Sequence, residues 1–175
     1  MSAALSAEQR AARVRLLALD VDGVLTDGRL YYGPQGEALK AFDVRDGHGI
    51  KMLLAHGVAV AILSARQSDI VALRARELGI TRVLQGRGDK TAGFSELLGD
   101  AGLSADVAGY VGDDLPDLPV LRVAGFAATV ADARDEVKSA AHWIAPAAGG
   151  RAAVRACAEF ILRAQGVDFA AMVQG

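Results

Sequence analysis

Short apolar runs that end in charge punctuate this chain. Leu16-Leu17-Ala18-Leu19 runs into Asp20, Val58 to Leu63 (VAVAIL) into Ser64, and Asp106 to Val111 into Gly112-Asp113-Asp114. Apolar runs without polar alternation are the pattern of strands covered on both faces. They predict strands over 14–20, 58–63 and 106–111, with shorter ones over 81–84, 125–130 and 142–144. Helical patterns fill the intervals, over 47–56, 67–78, 90–99, 115–124, 134–140 and 151–165. Asp46 is expected to cap the first of these, Gly57 and Gly79 to end the first two, and Pro116 and Pro119 to disturb the fourth. Two extended runs around Gly33-Pro34-Gln35-Gly36 predict a β-hairpin over Arg29 to Phe42. Residues 1–13 read as a short helix or loose tail, and 166–175 as a tail.

Strand and helix alternate almost throughout, so the fold class is α/β: one doubly wound parallel sheet with right-handed crossovers and a hairpin protruding after the first strand. In such sheets the C-terminal ends of the strands share one edge, where ligands bind. Four polar groups fall there: Asp20/Asp22, Ser64, Lys90 and Asp113/Asp114/Asp117. Residues i and i+2 of a strand point to one side, so Asp20 and Asp22 converge, and Gly23 lets the chain turn around them. Two carboxylates so close repel each other; a hard divalent cation, for which magnesium is the natural choice, relieves this.

Composition narrows the partners. A chain of 175 residues suits one domain with a proper core. With 23% charged residues and a net charge of −2, neither disorder nor nucleic-acid binding is indicated. No apolar stretch has the length of a membrane span, and the first fifteen residues lack the apolar centre of a secretory signal. A cytoplasmic protein without membrane or nucleic-acid partners is the expectation. The lone cysteine, Cys157, lies in an Ala-rich helical pattern and reads as an inert core residue.

The polar groups define a chemistry. An Asp can attack phosphorus and form an aspartyl-phosphate, and a second carboxylic acid can protonate the leaving oxygen and later activate water. A transferred phosphoryl group needs a cation, a lysine and a small hydroxyl to balance its charge. Asp20, Asp22, Lys90, Ser64 and Asp113 complete that set.

DVDGVLTDG, ILSAR, the isolated Lys90 and GDDLPD resemble, in order and spacing, the four motifs of the haloacid dehalogenase (HAD) superfamily of phosphatases. With FDVRDGHGIK, the QG before Lys90 and AGGRAAVR, the likeness covers nearly all of 16–165. It points to the capless branch acting on the 8-phosphate of an eight-carbon 3-deoxy keto sugar acid in lipopolysaccharide biosynthesis. The resemblance implies a Rossmann-like core without a cap domain. It implies Asp20 as nucleophile, Asp22 as acid/base, and Ser64 and Lys90 holding the phosphoryl group. Magnesium would be held by Asp20, the Asp22 carbonyl and Asp113. Substrate contacts are implied at Asp22, Asp43, Val44, Arg45, Asp46, Gly47, Lys51, Arg66, Arg74 and Lys90. Asp114 first, and Asp117 second, are candidates to orient Lys90 or a metal-bound water. Ser64-Ala65 departs from the usual Thr-Gly, and Ala152 stands where the branch has glycine.

A capless site needs a lid. The hairpin carries Leu30, Tyr31, Tyr32, Leu39 and Phe42, a large apolar load for an isolated two-stranded unit. This load, with the resemblance, implies a homotetramer in which the hairpin packs on a neighbour and Asp43 to Gly47 face that neighbour's Asp20. Arg151 and the tail beyond it are then expected to close over the substrate.

Other readings are weaker. Gly88-Asp89-Lys90-Thr91 lacks the glycine spacing of a P-loop. The three histidines show no metal-ligand spacing, and Trp143 and the hairpin tyrosines read as packing groups. A phosphatase for nine-carbon keto acid 9-phosphates is the nearest alternative. Arg66 argues against it, since that branch has an acid there, whereas an arginine pairs a substrate carboxylate. A phospho-acceptor signalling domain needs an Asp at the end of the second or third strand, and none is present. A non-catalytic assembly protein is disfavoured by the intact polar set.

Overall fold

The computed structural model describes residues 5–169. Six parallel strands form one sheet in the order β5-β4-β1-β6-β7-β8: β1 (Leu16–Leu19), β4 (Ala59–Leu63), β5 (Arg82–Leu84), β6 (Ala108–Val111), β7 (Phe126–Thr129) and β8 (Trp143–Ile144). The remaining strands, β2 (Tyr31–Gly33) and β3 (Gly36–Leu39), make a separate antiparallel hairpin. β1 lies at the centre, with Leu16 opposite Ala59 on one side and Ala108 on the other. All its residues are buried, as its unbroken apolar run requires.

The strand order reverses between β4 and β6 on either side of β1, so the loops after these three strands open onto one crevice. The helices are α1 (Ala7–Ala11), α2 (Val44–Ala55), α3 (Asp69–Leu78), α4 (Lys90–Ala101), α5 (Leu118–Val123), α6 (Asp135–Ala140) and α7 (Ala153–Ala164). α7 buries an apolar stripe from Val154 through Cys157 and Ile161 against α2. Burial pushes the Cys157 thiol up to about 12, which leaves it the inert packing group expected. Trp143 stacks on Phe160, with ring centres 4.9 Å apart. Ser6 forms a capping box with Gln9 at the start of α1.

Helix starts account for most departures from the sequence reading. α2 begins at Val44, not Gly47, because Asp43 takes the cap and accepts from the Arg45 amide at 2.7 Å. Asp46, expected in that role, instead caps another helix: its Oδ1 accepts from the Arg155 amide at 2.8 Å, in the first turn of α7. α7 has no side-chain cap of its own. Its N-cap residue, Ala152, is the one non-glycine in the left-handed region among the described residues, at φ 72°. The stretch after β6 splits at its prolines into a 3₁₀ turn, Leu115–Asp117, and the short α5.

Candidate active site

Asp20 is the first residue beyond β1. Its backbone still pairs with β6 through the Val111 carbonyl, while its Oδ1 accepts from the Val21 amide at 2.8 Å. Lys90, the first residue of α4, reaches under it: Lys90 Nζ lies 2.9 Å from Asp20 Oδ2 and 2.6 Å from Asp117 Oδ1. Ser64 is buried at the end of β4, and its Oγ accepts from the Arg66 amide at 3.2 Å. Asp22, Ser64, Arg66, Asp113, Asp114 and Asp117 line the same cleft as Asp20 and Lys90. Every strand-end group expected to converge therefore does so.

Glycines make this convergence possible. A β-carbon on Gly23, at φ 91°, would fall inside the Asp113 carboxylate, and one on Gly112 inside that of Asp117. Gly149 and Gly150 press on the loop after β1, where the Gly150 amide donates to the Val24 carbonyl at 2.9 Å. The AGGR motif thus braces the loop that follows β1.

Asp117 is the fixed point of the cleft. It accepts from Lys90, from the Tyr110 hydroxyl at 2.6 Å, and from the amides of Asp113 and Asp114 at 3.0 and 3.1 Å. Asp114, the stronger candidate for orienting Lys90, does not do so. It is exposed, caps the turn at Leu115, and lies 3.8 Å from Arg134. The 3₁₀ turn between the two residues explains the exchange, since it carries Asp117 inward and leaves Asp114 outside.

The electrostatics point to a cation. Burial raises Asp20 to about 6, and the neighbouring Asp117 adds to the rise, against the opposing pull of Lys90. Asp113 rises to about 7 for the same first reason, with Asp20 and Asp117 as like-charged neighbours. Lys90 is pulled down by burial, but the Asp20 and Asp117 carboxylates outweigh this and hold it above the ordinary lysine value. Asp20, Asp113 and Asp117 bring oxygens within 4.8 Å of one another. Asp117 has both oxygens engaged by donors, whereas Asp113 Oδ1 is buried without a partner. Asp20 likewise has both oxygens engaged, by the Val21 amide and by Lys90, so the buried open acceptor is Asp113 Oδ1. Together the three carboxylates are a hard-oxygen set that fits a divalent cation.

The remaining expected residues fall into two groups. Arg66 stands at the rim of the cleft, its Nε 3.5 Å from Asp22 Oδ2. Asp43 and Arg151 line a separate recess with Asp27, Arg29 and Phe42. Val44 and Arg45 are exposed, and Arg45 pairs with Asp43 at 2.7 Å. Arg74 lies behind Phe42, its guanidinium 5.9 Å from that ring and beside Gly47. Lys51 lines the groove between α2 and α7. Apart from Arg66, none of these lines the cleft of its own chain.

Sequence reasoning missed the hairpin's polar face. Lys40 Nζ lies 2.5 Å from Asp22 Oδ1 and 3.0 Å from Glu37 Oε1. Glu37 also accepts from the Ser68 hydroxyl and lies 3.5 Å from Arg66, and the Tyr32 hydroxyl accepts from Arg66 at 3.2 Å. Tyr32 is 64% exposed on the single chain, and its hydroxyl makes a polar contact beyond the packing role expected. The only hint was Lys40 itself, one of four lysines and three residues from Glu37 in a short hairpin.

Residues 59–154 match the family of haloacid dehalogenase-like hydrolases. The 3-deoxy-D-manno-octulosonate 8-phosphate phosphatase of Yersinia pestis is 46% identical over 157 residues, which cover 90% of this chain and 84% of that protein. Among solved structures, the phosphatase of the same name from Moraxella catarrhalis, in complex with magnesium, phosphate and KDO, superposes with a TM-score of 0.91. It is 39% identical, over 95% of each chain. The cobalt-bound enzyme from Haemophilus influenzae gives a TM-score of 0.89 at 42% identity, over 90% of this chain and 92% of that one.

Proposed function

The chain belongs to the haloacid dehalogenase-like hydrolases, and we propose that it is a phosphoric monoester hydrolase that cleaves 3-deoxy-D-manno-octulosonate 8-phosphate to the free keto sugar acid and inorganic phosphate. The observation that carries this reading is the meeting of Asp20, Asp22, Ser64, Lys90 and Asp113 in one cleft with Arg66 at its rim.

Asp20 attacks phosphorus with a carboxylate oxygen. The bond from phosphorus to the sugar oxygen breaks, and an aspartyl-phosphate forms. Asp22 gives its proton to the departing sugar oxygen, then takes one from the water that hydrolyses the acyl phosphate. Lys90 balances the charge on the phosphoryl oxygens, and its bond to Asp117 fixes it at the site before substrate arrives. The Ser64 hydroxyl donates to the same group. Asp20, Asp113 and the Asp22 carbonyl would hold a magnesium ion, which supplies charge neutralisation to the transferring group. Arg66 pairs with the substrate carboxylate and sets the eight-carbon preference.

We also infer a homotetramer residing in the cytoplasm. Leu30, Tyr31, Tyr32 and Leu39 are 38–64% exposed on the isolated chain, and Asp43 and Arg151 face a recess outside their own cleft. Both features suit a neighbour's docking, with Asp43, Val44, Arg45, Lys51 and Arg74 completing the adjoining site. Asp46, 1% exposed and capping α7, and the buried Gly47 support that surface from inside the fold and do not reach it. The C-terminal tail, expected to close over it, lies outside the described residues from 170 onward.

The test compares phosphate release from the eight-carbon 8-phosphate, a nine-carbon keto acid 9-phosphate and a small ester without a carboxylate. The eight-carbon substrate should lead. Arg66→Ala should cost it about 2–5 kcal/mol in kcat/KM and spare the small ester. Equal losses would mean that Arg66 serves phosphate or structure instead.

A further inference from the structure

Hairpin side chains reach back into the chain's own cleft without a part in the chemistry above. Lys40, its side chain 1% exposed, bridges Asp22 and Glu37. Glu37 is held by the Ser68 hydroxyl and by Lys40, and it meets Arg66 only at 3.5 Å. The outer nitrogen of Arg66 thus faces an internal carboxylate and the Tyr32 hydroxyl, while Arg66 Nε is buried and makes no hydrogen bond. A guanidinium presents a rigid fork that matches a carboxylate with two parallel bonds. Here the fork is loosely engaged, by two carboxylates each 3.5 Å away: Glu37 at the outer nitrogen and Asp22 at the buried Nε.

We propose that Glu37 is a specificity-determining residue: an internal carboxylate that balances Arg66 while the cleft is empty, yields it to the carboxylate of the substrate, and reclaims it as the keto acid leaves. This rests on the reading of Arg66 as the carboxylate-binding group. In the empty cleft, before Asp22 carries the proton it gives to the leaving oxygen, Arg66 and Lys40 are the cations of this network and Asp22 and Glu37 its anions, so the four sum to zero. A ligand offering a carboxylate alone meets little net attraction. One that also docks a phosphoryl group on Ser64 and Lys90 gains enough to draw Arg66 away. Glu37 is fixed by Ser68 and Lys40, so the exchange needs only a rotation of the half-buried Arg66. Once phosphate has left, the product keeps only its carboxylate, and Glu37 competes for Arg66 on better terms.

The test measures inhibition constants of the dephosphorylated keto acid and of inorganic phosphate for the wild type, Glu37→Gln, Glu37→Asp and Arg66→Ala. Glu37→Gln keeps the shape and an acceptor for Ser68 but removes the charge. It should lower the keto-acid Ki about two- to fivefold, the range of a partly exposed ion pair, and leave the phosphate Ki unchanged. Glu37→Asp retains the charge and should lower it less; equal falls in both variants would indicate lost shape and overturn the proposal. An unchanged or raised keto-acid Ki in Glu37→Gln, with Arg66→Ala still weakening that ligand, overturns this inference alone. A keto-acid Ki indifferent to Arg66→Ala overturns the reading of Arg66 beneath it.

Discussion

Asp46 offers a test of how the fold was read, because its burial has a computable pH signature. The residue is 1% exposed, and its Oδ1 accepts from the Arg155 amide, while Oδ2 is buried without a partner. Burial raises its pKa from 3.8 to about 6, with nearby Asp43 adding to the rise. The amides at the start of α7 pull the other way. A carboxyl whose folded pKa lies above its unfolded value favours folding fully below about pH 4. It loses that contribution as pH rises through 6. A shift of about two units corresponds to about 3 kcal/mol lost by pH 8, of which roughly 1 kcal/mol has gone by pH 4.5. Asp46→Asn keeps an acceptor for the Arg155 amide and cannot ionise. Relative to the wild type it should therefore gain about 2 kcal/mol of stability between pH 4.5 and pH 8. Urea unfolding of both proteins at the two pH values measures this, and taking the difference cancels every other titrating group. Parallel stabilities would refute the reasoning and place Asp46 in a wet, ordinary environment.

Four further outcomes are expected. Asp20→Asn and Asp22→Asn should each lower turnover by several orders of magnitude in a phosphate-release assay, since each removes a group from the bond-breaking step; undiminished release by Asp20→Asn would place the nucleophile elsewhere. Chelation with EDTA should silence the enzyme, and added magnesium should restore activity and raise the melting temperature in calorimetry, because the ion relieves the repulsion between Asp20 and Asp113. Ala152→Gly should raise the melting temperature by about 1–3 °C: it removes the strain of a left-handed alanine, offset in part by a freer unfolded chain. Replacing 30–39 by a short Gly/Ser turn should reduce both the mass seen by light scattering and turnover on the keto sugar phosphate, and a fully active monomer would rule out the proposed assembly.

The strands were legible because their signal is local. Leu16 to Leu19 has the unbroken apolar pattern of a strand buried on both faces, and the charge that follows marks where that strand ends. From such segments the α/β class, the parallel sheet and the edge shared by Asp20, Ser64, Lys90 and Asp113 follow without coordinates, and the motif spacing adds the family. The choice of partners does not follow. Asp114 and Asp117 are equivalent acids in sequence, and only the 3₁₀ turn at Leu115–Asp117 carries one of them inward to Lys90. Asp46 sits where a cap for its own helix is expected, yet it caps α7, more than a hundred residues on. Glu37 and Lys40 look like the solvated face of a hairpin until the hairpin folds back onto Asp22 and Arg66. In each case the sequence supplied a group able to pair and left the partner open. A side chain reaches only a few ångströms, so its partner is whatever the packing of distant elements brings within that reach, and burial then makes the pairing obligatory.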